Sequence, residues 1–383
     1  MAVSDESIMD AARHIAASQG WAGLRFRTIA AQAQVSVRPL RDRYESSSQL
    51  AAQLWRGQLC DSLIAQVSEA VKCADQVVLN NHNDSLAALV EQFFQPSETL
   101  KASMELLIVA RFDPVIALAV SEKFPHELER LLFGPESAPD RSLVAKRCLI
   151  VLLLFGLVTE RWRSWASEIA SHEISKLLEQ SLRREVNDEV LPNDQATFLD
   201  EPQDFHTSDP MWEALLGTLV QSVARVGYEA TTTDQLAKES GCSEGFIFRK
   251  YPTKRDLFVD AAHRGAAHYT KLQLEFANDM AQRYSEAVGG AVLLREWLLP
   301  KHEDKRTISL ELSRVALHDE KLAKLMTDEQ MPVLEENLQI PNSAGNANLL
   351  ALAHVGFSAG SGAFLLSDLL PQFVSLPLTV VEF

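Results

Sequence analysis

Apolar residues recur at helical spacing along almost the whole chain of 383 residues, and the strict alternation typical of strands is scarce. One stripe near the start comprises Ile8, Met9, Ala12, Ile15 and Ala16. The matching stripe, 207 residues later, comprises Leu215, Leu216, Leu219, Val220 and Val223. The spacing predicts an all-α fold, and the common offset predicts two related halves.

A short pattern is repeated at the same offset. Gly20-Trp21 precedes "IAAQAQVS" at 29–36, and Gly227-Tyr228 precedes "LAKESGCS" at 236–243. Aligned without gaps, residues 8–57 and 215–264 share six identities: Ala17/Ala224, Gly20/Gly227, Ala30/Ala237, Ser36/Ser243, Tyr44/Tyr251 and Leu50/Leu257. These positions are where a small helical unit needs a turn, a close crossing or a cap, so we interpret the pattern as a diverged repeat.

The second copy predicts helices with defined ends. The first runs over about Pro210–Val226 and stops at Gly227, a natural left-handed helix end. Thr232 and Ser243 occupy the N-cap positions of the next two helices. Two short helices joined by a tight turn form a helix-turn-helix, whose second helix, Glu244 to about Lys250, would lie in the major groove of DNA.

The DNA-facing positions of the second copy follow from this arrangement. The outward positions of the second short helix are predicted to be Glu244, Gly245, Phe248 and Arg249. The capping residues Thr232 and Ser243 are further candidate DNA contacts. Lys254 would meet a phosphate at the start of the following helix, where free backbone N–H groups also attract anions. Thr253 and Asp256 predict a capping-box start to that helix.

These residues resemble the DNA-binding domain of TetR-family transcriptional regulators. The matching stretch, Gly227–Phe258, reads "GYEATTTDQLAKESGCSEGFIFRKYPTKRDLF". Phe248 stands where the family usually has a phosphate-contacting Tyr, so the ring is kept and the hydroxyl is lost. The resemblance implies a double-stranded DNA operator as partner, and a helical domain in each half for a small-molecule effector and for dimerisation. In the first half, the dimerisation helices that the resemblance implies are about Ser142–Trp162 and Trp165–Val186. In the second half, the candidate is Asn348–Leu370, and we expect the final helix of that half to be short or absent.

The first copy, Gly20–Leu50, departs further from the family pattern. Arg25 stands at the capping Thr, Gln34 at the turn Gly, Arg38 at the recognition-helix Gly and Arg41 at the aromatic residue. Scaffold positions survive, Ser36 among them. We therefore expect the fold to be kept and the DNA-facing surface to be rewritten, with Arg25, Ser36, Arg38, Arg41 and Arg43 as candidate DNA contacts.

Charge separates the two repeated units from the rest of the chain. The whole chain has a net charge of −16. Residues 20–56 hold six arginines against Asp42 and Glu45, and residues 243–255 hold four basic residues against Glu244. Two basic patches on an acidic body can direct DNA to one face. A merely solvated basic face remains the alternative.

The organisation predicted from these patterns has five parts. Residues 187–210 contain seven acidic residues, three prolines and no Lys or Arg, which indicates an exposed acidic linker. The predicted parts are a first head domain (1–56), a first helical body (57–186), the linker (187–209), a second head domain (210–264) and a second helical body (265–383).

Other functional classes find no support in the sequence. No catalytic motif, P-loop or paired Cys/His set is present, so we expect neither an enzyme nor a metal or other cofactor. The apolar run at 148–158 is too short to span a bilayer and predicts a buried helix. The N-terminus has no signal-peptide pattern, and the four cysteines do not suggest disulfides, which together predict a cytoplasmic protein.

The leading functional hypothesis is a transcriptional repressor relieved by a small apolar ligand. Two copies of a domain that normally works as a dimer suggest an intramolecular pseudo-dimer with two different DNA-reading heads. A homodimer of chains with a degenerate first head is one alternative. A helical interaction protein that has lost DNA binding is the other.

Overall fold

The computed structural model describes residues 5–80, 85–134, 140–185, 191–200, 203–337 and 347–376, and these form helices and no strands. The predicted all-α fold is therefore confirmed. The helices are α1 Asp5–Gly23, α2 Phe26–Gln32, α3 Arg38–Arg43, α4 Ser47–Leu54, α5 Cys60–Asn80, α6 Leu86–Phe94, α7 Glu98–Val109, α8 Pro114–Ser121, α9 Phe124–Phe133, α10 Arg141–Thr159, α11 Ser171–Arg183, α12 Pro210–Ala230, α13 Thr233–Ser240, α14 Glu244–Lys250, α15 Lys254–Arg283, α16 Glu286–Leu298, α17 Glu303–Ala316, α18 Glu320–Asn337 and α19 Ala347–Leu369.

The helices form two compact units. Unit 1 contains the described parts of Met1–Thr159, Ser171–Glu185 and Ser358–Leu376. Unit 2 contains the described parts of Glu160–Ala170 and Val186–Phe357. The units follow the two halves of the sequence except at two places, because unit 1 takes up the end of α19 and unit 2 takes up the segment between α10 and α11.

The core of unit 1 is built around α10. Helix α1 packs on α7, while α10 packs on α5 and α6. Every residue of α10 from Cys148 to Thr159 is buried, which confirms the buried helix predicted there. Helix α10 and Leu350–Leu369 of α19 are long and apolar enough to cross a membrane, but 83% and 61% of their apolar windows lie inside the protein. This burial favours core helices.

Within unit 1, the backbones of α10 and the end of α19 approach very closely. A Cβ atom at Gly156 would overlap with the backbone of Ser358, and a Cβ atom at Gly362 would overlap with the backbone of Leu152. Among the glycines of α19, Gly362 is therefore the one that allows the close approach. Gly356 and Gly360 have open space beside them.

The core of unit 2 joins the second head domain to its own body. Helix α12 packs on α17, and α15 packs on α16 and α18. The main cluster includes Leu215, Leu219, Leu236, Ile247, Leu257 and Leu322, all fully buried. Helix α19 ends at Leu369 and is followed by a 3-10 turn, Pro371–Ser375. The final helix was expected to be short or absent, and residues 377–383 lie outside the described residues.

The predicted exposed linker is instead docked on unit 2 over its described parts, 191–200 and 203–209. The side chains of Ala196, Leu199 and Phe205 are each about 1% exposed. Basic residues of the body bind the acidic segment, through the contacts Arg283–Asp194, Lys301–Asp200 and Arg295 to the carbonyls of Pro192 and Asp194. The expectation of full exposure was wrong, because three apolar side chains and these ion pairs hold the segment down.

Candidate nucleic-acid interface

The second head domain has the predicted ends of α13 and α14, whereas α12 does not stop at Gly227 but continues to Ala230. Helix α12 bends at Gly227, where φ is 78°. The hydroxyl of Thr232 caps α13 by accepting from Gln235 N, and that of Ser243 caps α14 by accepting from Phe246 N at 3.1 Å. Helix α13 ends at Gly241 with φ 73°, in the left-handed region that glycine adopts without strain. The two helices therefore form the predicted helix-turn-helix.

The outer face of α14 presents a mixed surface to solvent. Glu244, Gly245, Phe248 and Arg249 are all exposed, as predicted from their spacing. Phe248 is 45% exposed, a large fraction for an apolar ring of this size. Glu244 accepts a hydrogen bond from the Thr233 hydroxyl at 3.1 Å. An apolar ring beside an acidic and a basic side chain is the kind of surface that can contact base edges.

Lys254 is engaged inside the second head domain. Its ammonium donates to the carbonyls of Tyr228, Glu229 and Thr231, at 2.6, 3.2 and 2.8 Å. It also lies 4.3 Å from the centroid of the Tyr228 ring. Burial lowers the pKa of Lys254 below its ordinary value. The three N–H donors of the ammonium are thus directed at the backbone that follows the Gly227 bend. The predicted contact of Lys254 with a phosphate would require these hydrogen bonds to break.

One of the counted basic residues of the second head is neutralised by its body. Arg255 makes a bidentate pair with Asp319, with both N···O distances at 2.5 Å. Burial alone would raise the pKa of Asp319, but the hydrogen bonds from Arg255 and from backbone N–H groups leave it lowered. The free positive charge of this face therefore comes from Arg249 and Lys250.

The first head domain has the same order of helices with a different turn. Helix α1 bends at Gly20, where φ is 65°, as α12 does at Gly227. Gln34 takes the place of Gly241 and has a φ of 56°. A left-handed conformation costs a non-glycine residue about 1–2 kcal/mol. The turn is thus retained without its glycine, and helix α3 has six residues.

The start of the recognition helix differs between the heads. The N-cap of α3 is Val37, and no side chain caps it. Ser36, aligned with the capping Ser243, precedes that position and is exposed. The implied equivalence of the two serines as caps is therefore wrong. Pro39 occupies one of the first two positions of α3, where its fixed φ is compatible with a helix start and its missing N–H costs no intrahelical hydrogen bond.

The arginines of the first head fall into two groups. Arg43 binds Asp5 at 2.8 Å, Arg56 binds Glu122 at 2.5 Å, and Arg38 lies 3.7 Å from Asp42. Arg38 remains 89% exposed, so its pairing is weak. The other arginines are Arg25, Arg27 and Arg41. They are exposed, and none has an acidic partner among the residues that the structure describes. Arg25 is the N-cap residue of α2, but its side chain makes no capping hydrogen bond.

An aromatic and basic cluster on the second head was not anticipated from the sequence. The Trp212 ring stacks on Phe246, with centroids 4.1 Å apart and an interplanar angle of 22°. The ring of Tyr251 meets Trp212 edge-on at 5.5 Å. Lys250 Nζ lies 4.8 Å from the Trp212 centroid. We refer to Trp212, Phe246, Lys250 and Tyr251 as the Trp212 cluster. At the repeat offset, Trp212 is aligned with Asp5, and Lys250 with Arg43. The opposite charges of Asp5 and Arg43 indicate that these two positions are close, and this signal could have identified the contact of Trp212 with Lys250.

A second unanticipated group joins the second head to its body. Glu311 is fully buried on α17, and its carboxylate accepts from Arg314 Nε at 2.6 Å. Arg314 also donates to Glu229, just after the Gly227 bend, at 2.6 Å. Burial raises the pKa of the neighbouring Tyr228 phenol to about 12. The bend is therefore held by charged side chains of the body as well as by Lys254.

Comparisons with known proteins agree with this geometry. Residues 215–261 match the family of bacterial regulatory proteins described as the tetR family. The match spans the second head domain from the buried stripe of α12 to the start of α15. No curated protein matches the chain. The match supports a TetR-family regulator that binds DNA and regulates transcription.

Proposed function

From this TetR-like DNA-binding domain, we propose that the chain is a sequence-specific transcriptional regulator with two different DNA-reading heads. The observation that carries the proposal is the exposed outer face of α14, which is held at its start and along its inner face within a helix-turn-helix. Ser243 caps its start, and Ile247 anchors its inner face in the core. A helix supported in this way leaves Phe248 and Arg249 free for the major groove.

The two heads contribute different chemistry in this proposal. On α14, an arginine can bond guanine and an aromatic ring can contact a thymine methyl group. The first head instead offers the exposed arginines Arg25, Arg27 and Arg41, which suit phosphates as well as bases. Arg43 and Arg56 are paired with carboxylates and contribute less. We therefore expect both heads to read bases, with the second head reading its half-site more strictly and the first head making a larger share of phosphate contacts.

The arrangement we propose is an intramolecular pseudo-dimer. Its support is within unit 1, where the end of α19 lies directly against α10 at Gly156 and Gly362. These helices are among those that the family resemblance implies for dimerisation, and here both come from one chain. The operator would then contain two unlike half-sites, because the heads differ at their recognition helices.

The regulation we propose is repression relieved by a small apolar effector bound in a helical body. The family resemblance supports it, and the bodies are built from helices with long apolar faces, such as α10. An effector acts only if it binds one conformation more tightly than the other. A compound that raises the unfolding temperature and weakens operator binding would meet that criterion.

Binding-site selection from random duplex DNA, at one stated moderate salt concentration, tests the proposal. Two unlike half-sites at a fixed spacing are expected. The variant Arg249→Ala should weaken the selected site, whereas Arg225→Ala should not, because Arg225 is an exposed arginine of α12 paired with Glu239. A symmetric site would favour a homodimer of chains. No enrichment by folded protein would favour an interaction protein that no longer binds DNA.

A further inference from the structure

Helix α14 has few contacts that determine its rotation about its own axis. It contains seven residues, and Ile247 is its only fully buried side chain. A helix of two turns is marginal without tertiary contacts. One anchor in the core holds such a helix in place but restrains its rotation weakly. The Trp212 cluster supplies a second line of contact along the adjoining edge, through Phe246 and Lys250, one helical turn apart.

Trp212 is itself placed by the start of α12. Asp209 caps that helix by accepting from Met211 N at 2.9 Å, and Pro210 occupies the first turn. Trp212 therefore projects from a rigid helix end. Stacked and edge-on aromatic contacts have defined geometry, and a cation over the ring adds to them.

The first head makes a link between the same positions with different chemistry. Asp5 is aligned with Trp212, and Arg43 with Lys250, and the two form an ion pair at 2.8 Å. In that head the link neutralises Arg43. In the second head the link leaves the Lys250 ammonium charged above an aromatic ring. A connection between the start of the first helix and the end of the recognition helix is thus present in both heads.

We propose that Trp212 is a positioning residue that sets the rotation of α14 and thereby the sequence discrimination of the second head. This inference rests on the proposed DNA-binding function. Base contacts require side chains to be placed within a fraction of an ångström, whereas phosphate contacts tolerate larger shifts. Trp212 therefore governs the ratio of specific to non-specific affinity more than it governs non-specific affinity.

The test compares the full-length chain with Trp212→Ala, Trp212→Phe and the matched control Met211→Ala. Met211 lies in the same turn and is 37% exposed. Each protein is titrated with the selected duplex and a scrambled duplex over a range of salt concentrations. For Trp212→Ala, we expect a ten- to hundred-fold fall in the affinity ratio with an unchanged salt slope for the scrambled duplex. Trp212→Phe should recover most of the ratio, and Met211→Ala should keep it.

Hydrogen exchange of the α14 amides supplies an independent reading. Trp212→Ala should lower their protection, while the amides of α15 and α17 keep theirs. Unchanged discrimination in folded Trp212→Ala, in a chain whose parent does discriminate, would overturn the role of Trp212 alone. A parent chain that discriminates no sequence would overturn the proposed function, and this role with it.

Discussion

The backbone N–H of Tyr228 donates to Glu311 Oε1 at 2.7 Å, joining the bend of α12 to α17. The first half repeats the contact, because Trp21 N donates to Glu105 Oε1 at 2.6 Å. In both halves a glycine with positive φ precedes the donor. The bend interrupts the hydrogen-bond ladder of the helix, and a buried glutamate of the body accepts the N–H group that is released. Each head is thus attached to its body at the same point.

Replacing Glu311 tests the strength of this attachment. Glu311→Gln keeps an acceptor for Tyr228 but removes the buried charge that faces Arg314. We expect a loss of about 2–4 kcal/mol in the free energy of unfolding, because a buried arginine is left with less compensation. Urea denaturation measures it. Glu303→Gln, on an exposed position of the same helix, should change stability by less than about 0.5 kcal/mol. Equal effects of the two substitutions would contradict the prediction.

The glycines of α19 allow a matched test of the close crossing in unit 1. Gly362→Ala places a Cβ atom on the Leu152 backbone and should cost at least about 2–3 kcal/mol by overpacking. Gly360→Ala meets no atom within 4 Å and should stabilise the helix by about 0.5–1 kcal/mol. Thermal unfolding and light scattering report stability and molar mass. The pseudo-dimer predicts the mass of one chain for the parent protein, and tolerance of Gly362→Ala would show that the backbones are farther apart.

The turn of the first head carries a removable backbone strain. Gln34→Gly should stabilise the turn by about 0.5–1 kcal/mol, the left-handed penalty less the added entropy cost of glycine. In the reciprocal substitution, Gly241→Ala, the added Cβ atom meets no neighbouring atom, but the alanine must adopt a φ of 73°. We expect a loss of about 1 kcal/mol in the free energy of unfolding. Hydrogen exchange of α2–α3 and of α13–α14 locates each effect. A loss of protection in Gln34→Gly would mean that the Gln34 side chain holds the turn.

Replacing Lys254 distinguishes a structural role of this side chain from a phosphate contact. Lys254→Met keeps the aliphatic stem and removes the three bonds to backbone carbonyls, so we expect a loss of about 2–3 kcal/mol in unfolding free energy. A purely structural role leaves the salt slope of DNA binding unchanged, whereas a phosphate contact predicts a slope smaller by about one. Lys238→Met is the control, because Lys238 is exposed and paired with Asp234 on α13. DNA titration at several salt concentrations distinguishes the outcomes.

The burial of His354 predicts that the free energy of unfolding falls in acid. It is fully buried on α19, edge-on to Trp165, and burial together with Arg163 lowers its pKa from 6.5 to about 3. Between these values the unfolded chain binds a proton that the folded protein does not. The folded state therefore loses stability as pH falls through this window, by about 1.4 kcal/mol per unit.

The variant His354→Phe isolates this effect from the titration of the carboxylates. It keeps an aromatic ring beside Trp165 and cannot bind a proton, so its stability should fall less steeply between pH 6.5 and pH 4. His172→Phe provides the control, since the His172 side chain is 74% exposed. Parallel pH profiles of the parent and His354→Phe in urea denaturation would contradict the prediction.

Local sequence determined the helix ends of the second head. Thr232, Gly241 and Ser243 act within a few residues of their own positions, so their chemistry alone predicted where α13 and α14 begin and end. The same local logic misplaced Ser36, because Pro39 shifts the start of α3 by one residue relative to its repeat. The sequence showed that Gln34 replaces the turn glycine, but only the structure showed that the backbone of Gln34 is left-handed.

The sequence by itself determined the all-α class and the exposed outer face of α14, since each depends on spacing along one helix or on short-range capping. Only the tertiary structure decided which side chains meet across helices. It placed the Lys254 ammonium on backbone carbonyls, docked the acidic linker through Phe205, and brought Trp212 onto Phe246 and Glu311 beneath Tyr228. These contacts join residues as many as 83 positions apart, and periodicity in one helix carries no information on its partner.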